Sequence, residues 1–234
     1  MKIVPLHSWE VSPAEGRNIQ QKLRGRLIPS WDGRPVGSVA GVDVGMEDDH
    51  ARAGVVVLSY PELAPLEETA ARVPVSFPYI PGLLAFREGP AILAALEKLR
   101  GEPDLFLFDG QGVAHPRRLG IASHVGVIMD APAIGCAKSL LIGTYHDPAE
   151  VVGSYSHLYD GEEVLGAVVR TRSAVQPVYV SVGHRIDLVT AIHFVLTCCR
   201  GYRLPEPLRW AHRVADGEHL PQRPAGEQKS LFDI

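Results

Sequence analysis

Cysteine is scarce in this sequence. The 234 residues include only three cysteines, two of which are adjacent at Cys198 and Cys199. This number and spacing match neither a disulfide framework nor the ligand pattern of a structural zinc site. We therefore expect the protein to work in a reducing compartment.

Long apolar runs are also missing. No stretch approaches the roughly 18 apolar residues that a transmembrane helix needs, and residues 1–24 lack the apolar core of a signal peptide. We therefore expect no membrane association and a cytoplasmic location.

The chain has no strong excess of charge of either sign. Its formal net charge is -4, and 46% of its residues are hydrophobic, which is ordinary for a soluble globular domain. Such a charge argues against a general nucleic-acid coat, but it is compatible with a local basic groove. We expect one domain over residues 1–215. Residues 216–234 are rich in Gly, Pro, Glu and Gln, which predicts a flexible tail.

Hydrophobic periodicity predicts an α/β fold. Helices are predicted at residues 12–23, 82–100, 119–129, 188–200 and 207–215, and strands at residues 39–44, 54–59, 69–77, 105–108 and 132–137. This order predicts a mixed five-stranded sheet flanked by helices. Residues 164–170 and 177–182 predict an extra C-terminal hairpin, whereas residues 140–160 predict a surface loop.

A carboxylate ends the predicted strand at residues 105–108. Asp109 is followed by Gly110 and Gly112, which allow a tight turn that directs amide groups at an anion. His115 and two arginines then bring basic groups to the same edge. A carboxylate beside donors that suit a phosphate favours metal-assisted phosphoryl chemistry. The alternative is that Asp109 is an ordinary turn residue after a strand.

Two further carboxylates stand out. Asp43 interrupts an apolar strand, and Glu88 lies early in a predicted helix. If the strands that carry Asp43 and Asp109 are parallel neighbours, these two side chains approach each other, and the helix that crosses them can bring Glu88 into the same cleft. Three carboxylates so close need a cation, and Mg²⁺ prefers oxygen ligands. Glu88 considered alone is more typical of a solvated helix residue.

Six motifs lie along residues 38–214. They are VAGVDVG, PYIPGLLAFREG, DGQGVAHPRRLGIASHVG, GCAKS, VSVGHRIDLVTA and RWAHR. Together they resemble the endonuclease V family of deoxyinosine 3′ endonucleases. The resemblance implies a ribonuclease H-like nuclease fold for this chain.

The same resemblance implies an active site. It makes Asp43, Glu88 and Asp109 the residues that bind Mg²⁺, with Mn²⁺ as a substitute. It also makes Lys138 a catalytic-site lysine and His212 a further active-site residue. The residue pattern alone selects neither of these two, because a single lysine or histidine is more often at the surface or packed.

The implied reaction is hydrolysis of the second phosphodiester bond on the 3′ side of deoxyinosine in DNA. An activated water attacks the phosphate in line, and metal stabilises the charge that develops. The products carry 3′-hydroxyl and 5′-phosphate ends. Inosine-containing RNA is an additional expected substrate.

The PYIPG segment suits recognition of the lesion. Its two prolines fix the backbone, and the resemblance makes the segment a wedge that fills the space left by a flipped base. The wedge residues are Pro78, Tyr79, Ile80 and Pro81, the residues that line the base pocket are Gly82, Leu84, Gly110 and Ile121, and the residues expected to grip phosphates are Arg87, His115, Arg117 and Arg118. Without the resemblance, this segment predicts only a rigid turn.

Other interpretations stay open at this stage. One alternative is a different ribonuclease H-like nuclease, such as an inosine-RNA endoribonuclease or a junction resolvase, which would share the three carboxylates. The other is a module that binds the lesion but has lost catalysis. We expect a monomer. Residues Gln228–Phe232 resemble the short peptide with which bacterial repair enzymes bind the sliding clamp, which we state as a hypothesis.

Overall fold

A computed structural model describes residue 3 and residues 5–221. The strands are β1 (Ser38–Glu47), β2 (His50–Ser59), β3 (Pro65–Pro74), β4 (Leu105–Phe108), β5 (Ala133–Ala137), β6 (Tyr155–Asp160), β7 (Glu163–Val169) and β8 (Val178–His184), and the helices are α1 (Pro13–Arg24), α2 (Leu84–Leu96), α3 (Ile121–Met129), α4 (Leu188–Thr197) and α5 (Glu206–Ala215). Among the described residues, no helix has both the length and the apolar character needed to span a bilayer. The clamp-binding hypothesis falls on residues outside the described part of the chain and stays a hypothesis.

All of these strands belong to one mixed sheet. Its order is β3-β2-β1-β4-β5-β8-β7-β6. Strand β1 pairs in parallel with β4, which meets the condition set above for Asp43 and Asp109 to approach each other, and Val42 lies opposite Phe108. Because Asp43 and Asp109 are the next residues along each strand, both carboxylates leave the sheet at the same edge.

The sheet is larger than predicted. Strand β8 pairs antiparallel with β5, so the β7–β8 hairpin continues the main sheet. Strand β6 lies within residues 140–160, where a surface loop was predicted, and that prediction was wrong. Only Leu158 of β6 is fully buried, which explains why the strand has no clear apolar pattern. At the opposite edge, Pro74 ends β3, and its position on an edge strand was predicted correctly.

Helices cover both faces of the sheet. Alternate residues of β4 point to opposite sides: Phe106 and Phe108 pack with α2 and α3, whereas Leu105 and Leu107 pack with α4 and α5. Helix α4 begins where predicted, because the Asp187 side chain accepts a hydrogen bond from the Thr190 amide at 2.8 Å.

Glycines let helix α5 lie directly on the sheet. A Cβ atom added at Gly41 in β1 would lie 2.0 Å from the Pro207 carbonyl oxygen, and one at Gly54 in β2 would lie 2.4 Å from the Ala211 carbonyl oxygen. Such close backbone contact is available only to glycine. It brings His212 of α5 to the strand end that carries Asp43.

This packing predicts the effect of adding one methyl group at Gly41. In Gly41→Ala, the new methyl group collides with helix backbone that cannot rotate away, so we expect the free energy of unfolding to fall by about 1–3 kcal/mol. Urea unfolding of the purified variant measures this change. The matched control is Gly101→Ala, because no atom lies within 4 Å of a Cβ added there. Equal stabilities of the two variants would contradict this account of α5 packing.

Candidate active site

Asp43 is a buried carboxylate at the end of the central strand β1. Its side chain is 9% exposed. One oxygen accepts a hydrogen bond from the Val44 amide at 2.8 Å, and the other lies 2.8 Å from His212 Nδ1. Burial, together with the nearby charge of Asp109, raises the pKa of Asp43 to about 6. The site therefore holds this group near the point where it gains or loses a proton at neutral pH.

Asp109 lies beside Asp43 at the end of β4. Its amide donates a hydrogen bond to the Val42 carbonyl oxygen at 3.0 Å, which continues the parallel pairing by one residue. Its carboxylate forms an ion pair with the ammonium group of Lys138, which follows β5. Burial opposes the charge of Lys138, but the hydrogen bond and charge of Asp109 outweigh it and raise the pKa of the lysine. Lys138 is therefore charged within the site.

Glu88 reaches the same cleft from helix α2. Burial raises its pKa to about 8, and the charges of Asp43 and Asp109 contribute to the rise. The charges of both aspartates therefore act on Glu88, although the three residues lie far apart in sequence. Asp43, Glu88 and Asp109 share one electrostatic environment in the fold.

The chemistry of the donors suits a hard divalent cation. The three acids supply only oxygen ligands, and burial, with a further contribution from their mutual repulsion, raises the pKa values of Asp43 and Glu88. In the described residues, however, no group of three or more His, Cys, Asp or Glu side chains is positioned to hold a metal ion. Lys138 and His212 contact the carboxylates of Asp109 and Asp43 in this arrangement. A cation would therefore compete with these two basic groups.

A rigid turn lies next to the carboxylates. Gly82 has φ +79°, a conformation that favours glycine, which explains why α2 begins at Leu84 and not at Gly82 as predicted. The Gly82 carbonyl oxygen accepts hydrogen bonds from Gln20 Nε2 at 3.0 Å, His115 Nε2 at 2.9 Å and Arg117 Nη2 at 2.6 Å. Three donors on one carbonyl oxygen fix the base of the turn.

The tip of this turn is open to solvent. Tyr79 is 71% exposed, although Pro78 and Pro81 restrict the backbone on either side of it. Arg87 Nη1 donates a hydrogen bond to the Phe77 carbonyl oxygen at 2.9 Å, which fixes the start of the turn. The structure thus presents an aromatic ring on a backbone that is held at both ends.

The basic residues after Asp109 support this turn. His115 is only 3% exposed, and burial lowers its pKa to about 4. Its Nδ1 accepts a hydrogen bond from the Arg117 amide, so Nε2 carries the hydrogen that it donates to Gly82. The donor of His115 is therefore engaged by Gly82 in this structure, and its expected contact with a phosphate stays a prediction. Arg118 was expected to grip phosphates too, but it is engaged by Asp160 and Glu163.

A cavity of about 320 Å³ joins the turn to the carboxylates. It is lined by predicted pocket residues, namely Gly82, Leu84, Gly110 and Ile121, by Tyr79, Ile80, Pro81 and His115, and by Asp109 and Lys138 of the acidic site. This volume is at the small end of ligand pockets and suits one planar ring system. Recognition and chemistry can therefore take place in adjoining parts of one site.

Sequence reasoning missed several residues of this cavity. Gln20, Gln111, Ser139, Leu140 and Leu141 also line it. Leu140 and Leu141 are both about 40% exposed, and two adjacent apolar residues shortly after Lys138 were a usable signal. Gln20 gave no signal, because its contacts to Gly82 and Leu119 join segments that are distant in sequence.

The fold and the site define a class of protein. A mixed sheet with carboxylates at the ends of two adjacent parallel strands, beside a basic group and a cavity, has the features that were expected for a ribonuclease H-like nuclease. A family model for endonuclease V matches residues 21–213. The chain belongs to the endonuclease V family.

Known proteins resemble this chain over most of its length. Endonuclease V from Roseiflexus sp. (strain RS-1) is 53% identical over 92% of this chain and 96% of its own. The crystal structure of endonuclease V from Streptomyces avermitilis is 45% identical, with a TM-score of 0.85 over 91% of this chain and 95% of that chain. Ciona intestinalis endonuclease V, solved in complex with a 23mer DNA containing an inosine followed by a ribo-adenosine, is 33% identical, with a TM-score of 0.78 over 88% of this chain and 97% of that chain.

The raised pKa of Glu88 predicts a stability cost. The ordinary pKa of this group is 4.5 and its folded value is about 8, so the unfolded state releases the proton first and folding becomes less favourable as pH rises between these values. We expect Glu88→Gln to stabilise the metal-free protein by about 1 kcal/mol near pH 5.5 and about 4 kcal/mol near pH 8.

Urea unfolding in a chelating buffer at both pH values measures this difference. The matched control is Glu97→Gln, which changes an exposed glutamate at the end of the same helix and should leave stability unchanged at both pH values. A Glu88→Gln effect that does not grow with pH would contradict the assignment of a buried, coupled carboxyl.

Proposed function

We propose that this protein is a DNA repair endonuclease that recognises deoxyinosine and hydrolyses the second phosphodiester bond on its 3′ side with Mg²⁺. The observation that carries the proposal is the single cavity that contains Asp109 and Lys138 at one end and the PYIPG turn at the other. Membership of the endonuclease V family and the inosine-containing DNA bound by the Ciona relative support the choice of substrate.

Asp43, Glu88 and Asp109 would hold the divalent cation. When bound, the cation supplies charge stabilisation at the phosphate and at the leaving 3′-oxygen. Its positive charge would also relieve the repulsion that raises the pKa values of Asp43 and Glu88. Mn²⁺, which also accepts oxygen ligands, would substitute.

The two basic residues have separate roles in this proposal. Lys138 is charged and ion-paired with Asp109, so it can offset the negative charge of the scissile phosphate. His212 lies on the other side, with Nδ1 at 2.8 Å from Asp43 and Nε2 at 3.5 Å from Asp216. It therefore orients Asp43 and can hold or pass on a proton of the attacking water.

The turn separates the lesion from the stack. Tyr79 projects from a fixed backbone and would fill the gap left by the flipped base, while the base enters the cavity beside Gly110 and Ile121. With the base at that end, the backbone on its 3′ side reaches Asp43 and Asp109. Cleavage then leaves 3′-hydroxyl and 5′-phosphate ends.

An RNA-cutting variant of this activity is the second candidate. The cavity would read the base alone, and the described contacts include none that would exclude a ribose 2′-hydroxyl. A catalytically inactive lesion-binding module is disfavoured, because the three carboxylates, Lys138 and His212 are all present and close together.

Asp109→Asn tests the metal and the chemistry together. Removing this charge removes a proposed metal ligand but leaves the turn intact, so we expect binding of inosine DNA to persist and the cleavage rate to fall at least about a hundredfold. The measurement uses an end-labelled oligonucleotide with one deoxyinosine, with Mg²⁺ or with a chelator. The length of the product reports which bond is cut.

Asp49→Asn is the matched control, because Asp49 is an exposed residue in the turn between β1 and β2. It should cut at the parental rate. Cleavage by Asp109→Asn near that rate would reject the metal assignment. Parallel substrates with inosine in RNA, and a four-way junction without inosine, separate the proposed function from its alternatives.

Tyr79→Ala tests the wedge. Because the ring should replace base stacking in the duplex, we expect KM for inosine in duplex DNA to rise by about tenfold or more, and KM for inosine in single-stranded DNA to change much less. Steady-state kinetics on the two substrates measure the difference. Tyr155→Ala removes another exposed tyrosine, on edge strand β6, and should affect neither substrate. Equal effects of Tyr79→Ala on duplex and single strand would contradict a strand-separating role.

A further inference from the structure

A second pocket lies beside the acidic site, where strand β1 extends beyond Asp43. Its volume is about 280 Å³. The residues that line it are Gly45, Met46, Glu47, Arg52, Ala215 and Asp216. Arg52 of β2 lies directly opposite Gly45 of β1, so both residues face the same side of the sheet. Because Gly45 has no side chain, room remains between Arg52 and the end of helix α5. We call this recess the Arg52 pocket.

The guanidinium group of Arg52 has no partner in the described part of the chain. No described residue forms a hydrogen bond or an ion pair with it, and its Nε is buried without an acceptor. Of its nitrogens only Nε is both buried and unpaired, so Nη1 and Nη2 are accessible to solvent, and the residue lines the pocket. A half-buried cation without a partner costs free energy, which a ligand with acceptor atoms would recover.

The two acids of the pocket already have basic partners. Glu47 Oε2 lies 3.2 Å from Arg72 Nε, and Asp216 Oδ2 lies 3.5 Å from His212 Nε2. A guanidinium group stays charged at every ordinary pH, and its donors form a fork that matches the oxygens of a phosphate. The Arg52 pocket therefore offers an unpaired cation to an anion that comes from outside the chain.

The Arg52 pocket and the lesion cavity lie on opposite sides of the aspartates. The strand order β2-β1-β4-β5 places the pocket at β1 and β2, the aspartates at β1 and β4, and the cavity with Asp109 and Lys138 at β4 and β5. Gly45 is two residues beyond Asp43 in β1, which corresponds to about 7 Å. One DNA strand rises about 3.4 Å per nucleotide, so the pocket lies about two or three nucleotides from a phosphate held at Asp43.

We propose that the Arg52 pocket binds a backbone phosphate of the DNA strand on the 3′ side of the bond that is cut. This inference rests on the proposed function, in which the lesion lies on the 5′ side of that bond. A strand that leaves the cavity and passes Asp109 and Asp43 reaches the pocket with its 3′ part. Arg52 would hold this part through charge and hydrogen bonds to phosphate oxygens, without regard to base sequence. It is a positioning residue and takes no part in the chemistry.

Methylphosphonate substitution tests this contact, because it replaces one charged phosphate oxygen with a neutral methyl group. The substrates are single-stranded oligonucleotides with one deoxyinosine. Each carries a single methylphosphonate, at the first, second or third phosphate on the 3′ side of the cut bond, or on the 5′ side of the deoxyinosine. Steady-state cleavage with Mg²⁺ gives kcat/KM for each substrate.

We expect one of the 3′ positions to lower kcat/KM of the parental protein by about tenfold, because a charge-assisted contact is lost. Arg52→Met should show about the same loss on the unmodified oligonucleotide, and less than about twofold further loss at the sensitive position. A merely structural role of Arg52 would not produce this coupling to one phosphate.

Two further variants serve as controls. Arg52→Lys keeps the charge and should stay sensitive to the same position. Arg100→Met removes an arginine that is 85% exposed and pairs with Glu67, away from the pocket, and it should match the parental protein on every substrate. Thermal melting shows whether each variant is folded.

Three results would overturn the proposal. They are the absence of any sensitive 3′ position in the parental protein, a full additional loss in Arg52→Met at the sensitive position, and coupling of Arg52 to the phosphate on the 5′ side of the lesion. The first result needs no variant, so it decides the question even if Arg52→Met does not fold. If the parental protein cuts no inosine oligonucleotide at all, the proposed function fails and this inference fails with it.

Discussion

The candidate active site depends on the electrostatic repulsion among three carboxylates that the fold brings into one environment. Parallel pairing of β1 and β4 places Asp43 beside Asp109, and helix α2 carries Glu88 to the same cleft. Without a cation, burial and this repulsion raise the pKa values of Asp43 and Glu88, and Lys138 and His212 lie against the two aspartates. The site is thus destabilised in the way expected of a centre organised for function over stability.

A second constraint is the rigidity of the PYIPG turn. The Gly82 carbonyl oxygen accepts hydrogen bonds from three donors in two separate segments, and Arg87 fixes the other end of the turn. These contacts all hold one short loop, which carries an exposed tyrosine. A loop held in this way loses little conformational entropy when it meets its partner.

Much of the fold and part of the candidate site were predictable from the sequence. Asp43 within an apolar strand and Asp109 after another strand were expected to share an edge if their strands were parallel neighbours, and β1 does pair in parallel with β4. The prediction failed where the signal depended on tertiary contacts. Strand β6 has almost no apolar face because it lies at the sheet edge, and the burial of His115 beneath the turn cannot be seen in a linear pattern. Gln111 was passed over for the same reason, because its contact to Ser139 spans residues that are distant in sequence.

The close packing of α5 on the sheet has a consequence for biosynthesis. The absence of a Cβ at Gly41 and Gly54 makes room for the backbone of α5, so the histidine that faces Asp43 arrives with a helix that follows all of the described strands in the chain. A ribosome-bound chain that still lacks α5 has its strands and its aspartates but no completed centre. His212 thus reaches Asp43 only after every strand of the described sheet has been made.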